Sequence, residues 1–528
     1  QKETATADAS VMVKVNNKTV LINCPGGLQR LVNSWGIGFN DISCIVLTSD
    51  KPGNVEGLLG LLMTRAQSAE PLKCKIITPV EFPLLQNLNN YAVDKIFDGE
   101  FLKCVDQVEF HDDQFFVLCE KSENKLNVLV KPSLEIVNFD QKKLKELKIS
   151  GKLMKQLNVE GFVEIEDKRI TKEEISQKST CGQFYLFNFA PKEIQQNQNP
   201  SLMLNISQQE ISIPNHSQIG DFDPRYPIKD FSGFYKVQTG SEFPNSGYEI
   251  QLYQLFPPKQ FGKQLYQINE KQKEYQKLNQ FTHFNGEEDY ILMLGTGASV
   301  PNKYNNVSSQ LLKLQDQYFL IDCGEATLYQ ILSSPISFEQ LENLTILVTH
   351  EHADHFLGLG ALMFFYNKVF QRYPVVYCDK VVQNFLVNCM IPTETILSNQ
   401  NLMVQINNVG VKSLKSDHTE LSVSYVIQND QQQILFSGDT RPFDQFDQLS
   451  KKKTTIVHET TFTALQTEEA IARKHSAVEE VIEAVRKYKQ KNGQVKLIVT
   501  HFSQRICKEK ICPDEEWIIQ GFDFAKIG

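Results

Sequence analysis

In the second half of the chain, short apolar runs alternate with longer stretches of helical spacing. The runs near 289–294, 317–322, 344–349, 421–427, 433–437, 454–458 and 495–500 predict strands. Helices are predicted at 325–333, 356–366, 380–390 and 470–490, the last closed by Gly493. Many of the polar residues of interest fall just past a strand end, where an α/β scaffold presents functional groups.

The same pattern occurs twice. "TVLINCPGGLQRLV" (19–32) matches "YFLIDCGEATLYQIL" (318–332): an apolar strand, Asn/Asp-Cys, then a Gly turn into a helix. At nearly the same distance further on, "ISCIVLTSDKPGNVEGLLGLL" matches "LTILVTHEHADHFLGLGAL". Two matched elements in the same order and spacing predict a duplicated domain. Where the second copy has His350, His352, Asp354 and His355, the first has Ser49, Lys51, Gly53 and Asn54. The expected organisation is a ligand-free domain at 1–254, a polar Gln/Lys-rich linker at 255–286 opened by Pro-Pro, and an armed domain at 287–528. A polar stretch at 140–179 has no counterpart in the second copy. It reads either as a solvated insertion of short helix and hairpin or as a Lys-bearing surface for RNA.

Length and composition narrow the class. A chain of 528 residues is too long for one ordinary core. The longest apolar stretch, "FLGLGALMFFY", is too short and Gly-interrupted to span a bilayer, so no membrane role is expected. The 11 Cys are scattered with no CxxC pair, which reads as reduced thiols inside a cell. A net charge of −9 argues against a nonspecific nucleic-acid coat but leaves room for one local basic patch. The sequence starts at Gln1 without an initiator Met or an apolar signal core, which favours a processed mitochondrial protein over a nuclear one.

The histidines point to the chemistry. Seven of the 10 lie beyond residue 349. His350-x-His352 puts two imidazoles on one side of an extended turn, while Asp354 and His355 begin the next helix and point elsewhere. One ion cannot easily use all four, so the spacing suggests two ions sharing a loop. Further ligands are expected at strand ends: His418, His501, and Asp439 in a tight Ser-Gly-Asp-Thr turn where a carboxylate can bridge two cations.

The order His-x-His-x-Asp-His, His, Asp, His resembles the metallo-β-lactamase superfamily, which implies an α/β fold of αββα sandwiches, here in tandem with a first copy lacking ligands. "LGTGASVPNKYNNVSSQLL", "LIDCGEATLYQ", "SGDTRP", "HETTF", "KHSA" and "THFSQR" together resemble tRNase Z in its long form. That resemblance implies a zinc-dependent endoribonuclease that removes the 3′ trailer of precursor tRNA and leaves a 3′-hydroxyl. His350, His352 and His418 match one zinc site, Asp354, His355 and His501 the other, and Asp439 bridges. Two Zn2+ ions, with Mn2+ or Mg2+ as substitutes, would lower the pKa of a bound water to about 7 and stabilise attacking and leaving oxygens. Asp354 matches the residue that orients the water, and His475 with Glu459 the proton donor to the departing 3′-oxygen. Lys303, Asn306, Ser308, Thr440, Arg441, Ser476 and Arg505 match substrate-binding positions. The family pattern Pro-x-Lys-x-Arg-Asn has Asn305 in place of Arg here, which removes a positive charge expected near the RNA end. The resemblance also implies an arm gripping the tRNA elbow, sought within 105–180, and a monomer whose blank half replaces the second subunit of a short-form dimer. The other reading is a mainly structural or RNA-binding subunit of a larger ribonucleoprotein complex.

Overall fold

The structure is a computed structural model. It describes residues 288–528 apart from 303, 335 and 507–510. Earlier in the chain it describes 10–15, 18–29, 41–49, 54–68, 72–81 and 96–132 except 114. It also covers much of 135–188, and the strands at 202–205, 210–212, 237–238 and 250–255. The expected linker beyond its first residue, His216, His283 and Lys303 therefore lie outside the described residues.

In the second half, two seven-stranded sheets face each other. The first runs Ile396–Ser398, Val375–Cys378, Leu344–Leu347, Gln317–Ile321, Ser309–Leu314, Tyr290–Gly295 and Lys526–Ile527. The second runs Met403–Ile406, Val409–Lys415, Val423–Gln428, Gln432–Phe436, Lys453–Glu459, Val495–Thr500 and Ile518–Gln520. Phe319, Ile321, Tyr425, Phe436, Val457 and Ile498 fill the space between them, all buried. Strands in this position are covered on both faces and are apolar almost throughout, as Gln317–Ile321 and Leu344–Leu347 show. Helices Leu359–Phe370 and Lys380–Asn388 pack on the outside of the first sheet, and Val478–Asn492 on the outside of the second. This is an αββα sandwich.

The first half repeats it. Ser10–Val15, Lys18–Ile22, Ile42–Val46, Lys75–Thr78 and Glu100–Lys103 follow one another as an antiparallel pair and then three parallel steps. The sequence of pairings from Ser309–Leu314 to Ile396–Ser398 is identical. The place of Tyr290–Gly295 is taken by Ile250–Leu255, antiparallel to Ser10–Val15. A second sheet holds Gln107–His111, Phe115–Ser122, Lys125–Pro132, Tyr185–Asn188, Leu202–Asn205 and Glu210–Ser212. The two halves share one apolar cluster, in which Leu58, Leu61 and Leu62 of the first meet Leu359, Leu362 and Met363 of the second.

One expectation is narrowed and another needs correction. Residues 107–132 are strands of the duplicated sandwich, so the excursion begins only after Pro132. From there a two-stranded stalk, Glu135–Phe139 with Ser176–Thr180, carries helix Gln141–Glu146 and the hairpin of Phe162–Ile165 and Lys168–Thr171. Leu144, Ile149, Leu157, Val163 and Ile175 give it a small core of its own. The helix expected over 470–490 is two helices, Thr467–Ala472 and Val478–Asn492. Between them Lys474 adopts φ 55°, and the chain breaks to place His475 off any helix. The apolar spacing across the break is continuous because Ala470, Val478 and Val481 all face inward, so periodicity alone could not show it.

Candidate metal centre

The expected ligands leave four separate strand ends and converge. His350, His352, Asp354 and His355 follow Leu344–Leu347; His418 lies between Val409–Lys415 and Val423–Gln428. Asp439 follows Gln432–Phe436, and His501 follows Val495–Thr500. One potential ligand atom from each of His350, His352, His418 and Asp439 lies within 4.8 Å of the others, and the same holds for Asp354, His355 and His501. Asp439 stands between the groups, 3.6 Å from His350 Nε2, 3.4 Å from His355 Nε2 and 3.3 Å from His501 Nε2.

The surroundings decide which ring nitrogen faces inward. Thr349 donates its hydroxyl to Asp322, so it accepts from Nδ1 of His350 at 3.0 Å. His355 donates from Nδ1 to Asp322 Oδ2 at 2.7 Å, and His418 donates from Nδ1 to the Lys474 carbonyl at 3.0 Å. Thr461 donates to Glu459 and accepts from Nδ1 of His501 at 2.9 Å. Four imidazoles thus aim an Nε2 lone pair at the centre; His352 aims Nδ1, 3.0 Å from His350 Nε2 and 3.1 Å from His418 Nε2. Buried His355 Nε2 and Asp439 Oδ1 have no hydrogen-bond partner among the described residues. Lone pairs gathered without donors between them are costly unless a cation sits there. The donor set of imidazole nitrogens and carboxylate oxygens fits zinc. Burial and the neighbouring His355 hold His350 well below the ordinary histidine range.

Beside the centre, His475 donates from Nδ1 to Glu459 Oε1 at 2.8 Å. Burial would lower its pKa, but Glu459, helped by Asp439 and Asp354, pushes it up to about 9. Glu459 is in turn fixed by the backbone N–H groups of Thr440, Thr461 and Ser476.

The other expected residues divide. Thr440 and Ser476 are buried, and the Ser476 hydroxyl donates to the Thr440 carbonyl, so they brace the Glu459–His475 pair and do not face the cleft. Arg441 is held by Glu480 and by the His475 carbonyl, which pins the same loop. Asn306 and Ser308 are buried too: Asn306 donates to Asp523 and to the Glu325 carbonyl, and the Ser308 hydroxyl points to Asp322. Asn305, where the family pattern has Arg, is an inward tie to Thr296 at 2.7 Å. Arg505 is exposed and pairs with Glu469 at 3.0 Å. Sequence reasoning gave no role to Asp322 or Thr461, which set the tautomers of His350, His355 and His501. Their signal was available: Asp322 follows an apolar strand, and Thr461 lies two residues past Glu459.

The blank copy keeps the frame. Asn23 stands in the place of Asp322, with φ 59° against 58°. Thr48 donates to Asn23 Oδ1 from N at 2.8 Å and from Oγ1 at 3.0 Å, the two distances at which Thr349 donates to Asp322. Asn54 then donates to Ser49 at 2.7 Å, so neutral amides and hydroxyls satisfy one another where the second copy gathers lone pairs.

The centre lies at the floor of a cavity of about 770 Å³ lined from both halves, with Gln29, Met63 and Thr64 on one side and His352, Asp354 and His475 on the other.

Comparison with known proteins places this fold. The structure superposes on a crystal structure of a long-form RNase Z from yeast with a TM-score of 0.60 over 99% of this chain and 98% of that one, at 14% identity. Such a likeness shows the fold, which is the metallo-β-lactamase fold in its duplicated form. In sequence the chain is 30% identical over 256 residues to the mitochondrial ribonuclease Z of Drosophila melanogaster, covering 43% of this chain and 33% of that protein. It is 28% identical over 285 residues to ribonuclease Z of Bacillus licheniformis, covering 42% of this chain and 90% of the bacterial one. A family model described as anti-Pycsar protein Apyc1 matches residues 290–511. The chain spans about a third of the length of the eukaryotic relatives it first matches. The particular group it resembles within the superfamily is therefore the long-form tRNase Z.

Proposed function

We propose that this protein is a metal-dependent phosphodiesterase that cuts the 3′ trailer from precursor tRNA, with two zinc ions at the ligand cluster. The observation that carries the reading is the pairing of that cluster with a separately braced Glu459–His475 acid at the floor of one cleft. His350, His352 and His418 would hold one ion, Asp354, His355 and His501 the other, and Asp439 both. When bound, the ions supply a nucleophile at neutral pH and charge for the phosphoryl oxygens.

The protein's own groups do the rest. Asp354 Oδ2, fixed by the Ser299 N–H at 2.6 Å and lying 3.2 Å from His501 Nε2, presents a carboxylate to orient and accept a proton from the attacking water. His475, with Nδ1 committed to Glu459, has Nε2 left to protonate the departing ribose 3′-oxygen. The products are a tRNA 3′-hydroxyl and a trailer with a 5′-phosphate.

The stalked unit after Pro132 is the candidate tRNA grip. Lys168 and Arg169 are exposed on its hairpin, the latter over the Phe162 ring at 3.8 Å. Both sandwiches reside in one chain, which supports work as a monomer. Among the described residues no helix is long and apolar enough to cross a membrane. The fly relative is named as mitochondrial, which supports that compartment over the nucleus.

The test is cleavage of a precursor tRNA carrying a labelled 3′ trailer by wild type and Asp354→Ala. Zinc-dependent cutting after the discriminator base, lost in the variant, is the expected result. No cutting by zinc-loaded wild type would overturn the reading.

A further inference from the structure

The metal-less half reaches the reaction site through one connected set of contacts. Helix Glu56–Ser68 turns Gly60, Met63 and Thr64, spaced along one face, toward the cavity above the ligands. Thr64 also borders the adjoining hollow of about 440 Å³ next to His475. The Thr64 hydroxyl donates to Gln29 Oε1, and Gln29 Nε2 donates across to Glu325 Oε2 at 2.7 Å. Glu325 Oε1 accepts from the Gly27 N–H at 2.9 Å, and the Glu325 backbone carbonyl accepts from Asn306. Gln29 and Glu325 are 1% and 2% exposed, so water does not compete for these bonds. Gly60 lets the helix lie flat on this chain of bonds: a Cβ there would stand 2.3 Å from Glu325 Oε2 and 2.6 Å from Gln29 Nε2.

We propose that Gln29 and Glu325 form a latch by which the metal-less half sets the width of the cleft over the ligand cluster, with Met63 and Thr64 as its substrate-facing wall. Both latch residues are positioning residues. Neither touches a metal ligand in any contact described above, and the latch ends on the loop that precedes Val307. RNA would pass this wall to reach the ligand cluster, so the latch acts on how RNA binds. This part rests on the tRNA-processing reading; the mechanical part does not.

The donor–acceptor pattern provides the test. Glu325→Gln places an amide NH2 against the Gln29 NH2, while the double variant Gln29→Glu with Glu325→Gln restores one donor facing one acceptor. The zinc-loaded full chain is compared by amide hydrogen exchange over 56–68, by KM and kcat on precursor tRNA, and by turnover of bis(p-nitrophenyl) phosphate. Glu325→Gln is expected to speed exchange in the helix and raise the KM for RNA by about tenfold, the scale of one lost buried charge-assisted hydrogen bond. Turnover of the small diester stays at the wild-type level, and the double variant returns exchange and KM to it. Unchanged exchange in Glu325→Gln, no recovery in the double variant, or parallel loss on both substrates would each overturn the latch. A wild type that hydrolyses the diester but never cuts precursor tRNA would refute the RNA reading, and exchange in the two variants then decides the latch alone.

Discussion

Glu459→Gln tests the proton donor while leaving every candidate metal ligand unchanged in sequence. In the wild type the Glu459 carboxylate outweighs burial and, with Asp439 and Asp354, raises His475 to about 9 from an ordinary 6.5. The amide keeps the size of the side chain and one of its two acceptor oxygens, but it removes the charge. His475 then falls back toward 6.5 or below, since burial opposes its charged form. At pH 7.5 a group of pKa 9 is almost fully protonated, while one of 6.5 is protonated in roughly a tenth of molecules. The variant's single-turnover rate on precursor tRNA at saturating zinc is therefore expected to be about tenfold below wild type at pH 7.5, a gap that closes near pH 6 and widens toward pH 8.5. The diagnostic is the shape: the alkaline fall begins more than about two pH units earlier in the variant. A leaving group as acidic as p-nitrophenol needs no proton, so hydrolysis of bis(p-nitrophenyl) phosphate should be spared. Parallel pH profiles for the two proteins, or equal losses on the two substrates, would refute the assignment of His475 as the acid.

Three further outcomes follow from the geometry. Asp322→Asn leaves Thr349 and His355 in place but removes the carboxylate that holds the His355 tautomer directly and the His350 tautomer through Thr349, so zinc affinity should fall about 10- to 100-fold in a chelator titration, with folding retained. Gly438→Ala should lower the melting temperature clearly, because Gly438 sits at φ 56° with a Cβ position 2.8 Å from Thr349 Cβ; an unchanged melt would show that the Asp439 turn is not constrained as described. Burial raises Glu325 from 4.5 to about 7, so its folded form holds a proton that the unfolded chain has already released. This contribution is favourable at low pH and is lost as pH rises from about 4.5 through 7. The loss amounts to roughly 3 kcal/mol by linkage, and chemical denaturation of wild type against Glu325→Gln between pH 5 and 8 should show it.

Much of this site could be read from one line of sequence. Seven candidate ligands at strand ends, in the order His-x-His-x-Asp-His, His, Asp, His, carry their own spacing, because a strand end places its next residues at the edge of the sheet whatever lies further away. The duplication was legible for the same reason: matching apolar strands and Gly turns are local signals. The strand runs near 290, 317, 344, 433, 454 and 495 were recovered to within a residue or two. Those missed, such as Ser309–Leu314 and Val409–Lys415, carry Gln, Lys and Ser that read as loop until a neighbouring strand pairs with them.

What no local pattern could supply is which polar residues face each other. Asn306, Ser308, Thr440 and Ser476 sit in motifs beside the centre and look ready for substrate, yet the fold turns them inward onto Asp523, Asp322 and Glu459. The break at Arg473–Ala477 is equally invisible to helical periodicity, because the residues on either side keep the same inward phase. The meeting of Gln29 with Glu325, nearly 300 positions later, exists only because two copies of one fold pack against each other. Sequence spacing determines which residues share a strand end or a turn. Contacts between separate elements, and the protonation states those contacts impose, arise from packing and so belong to the tertiary structure alone.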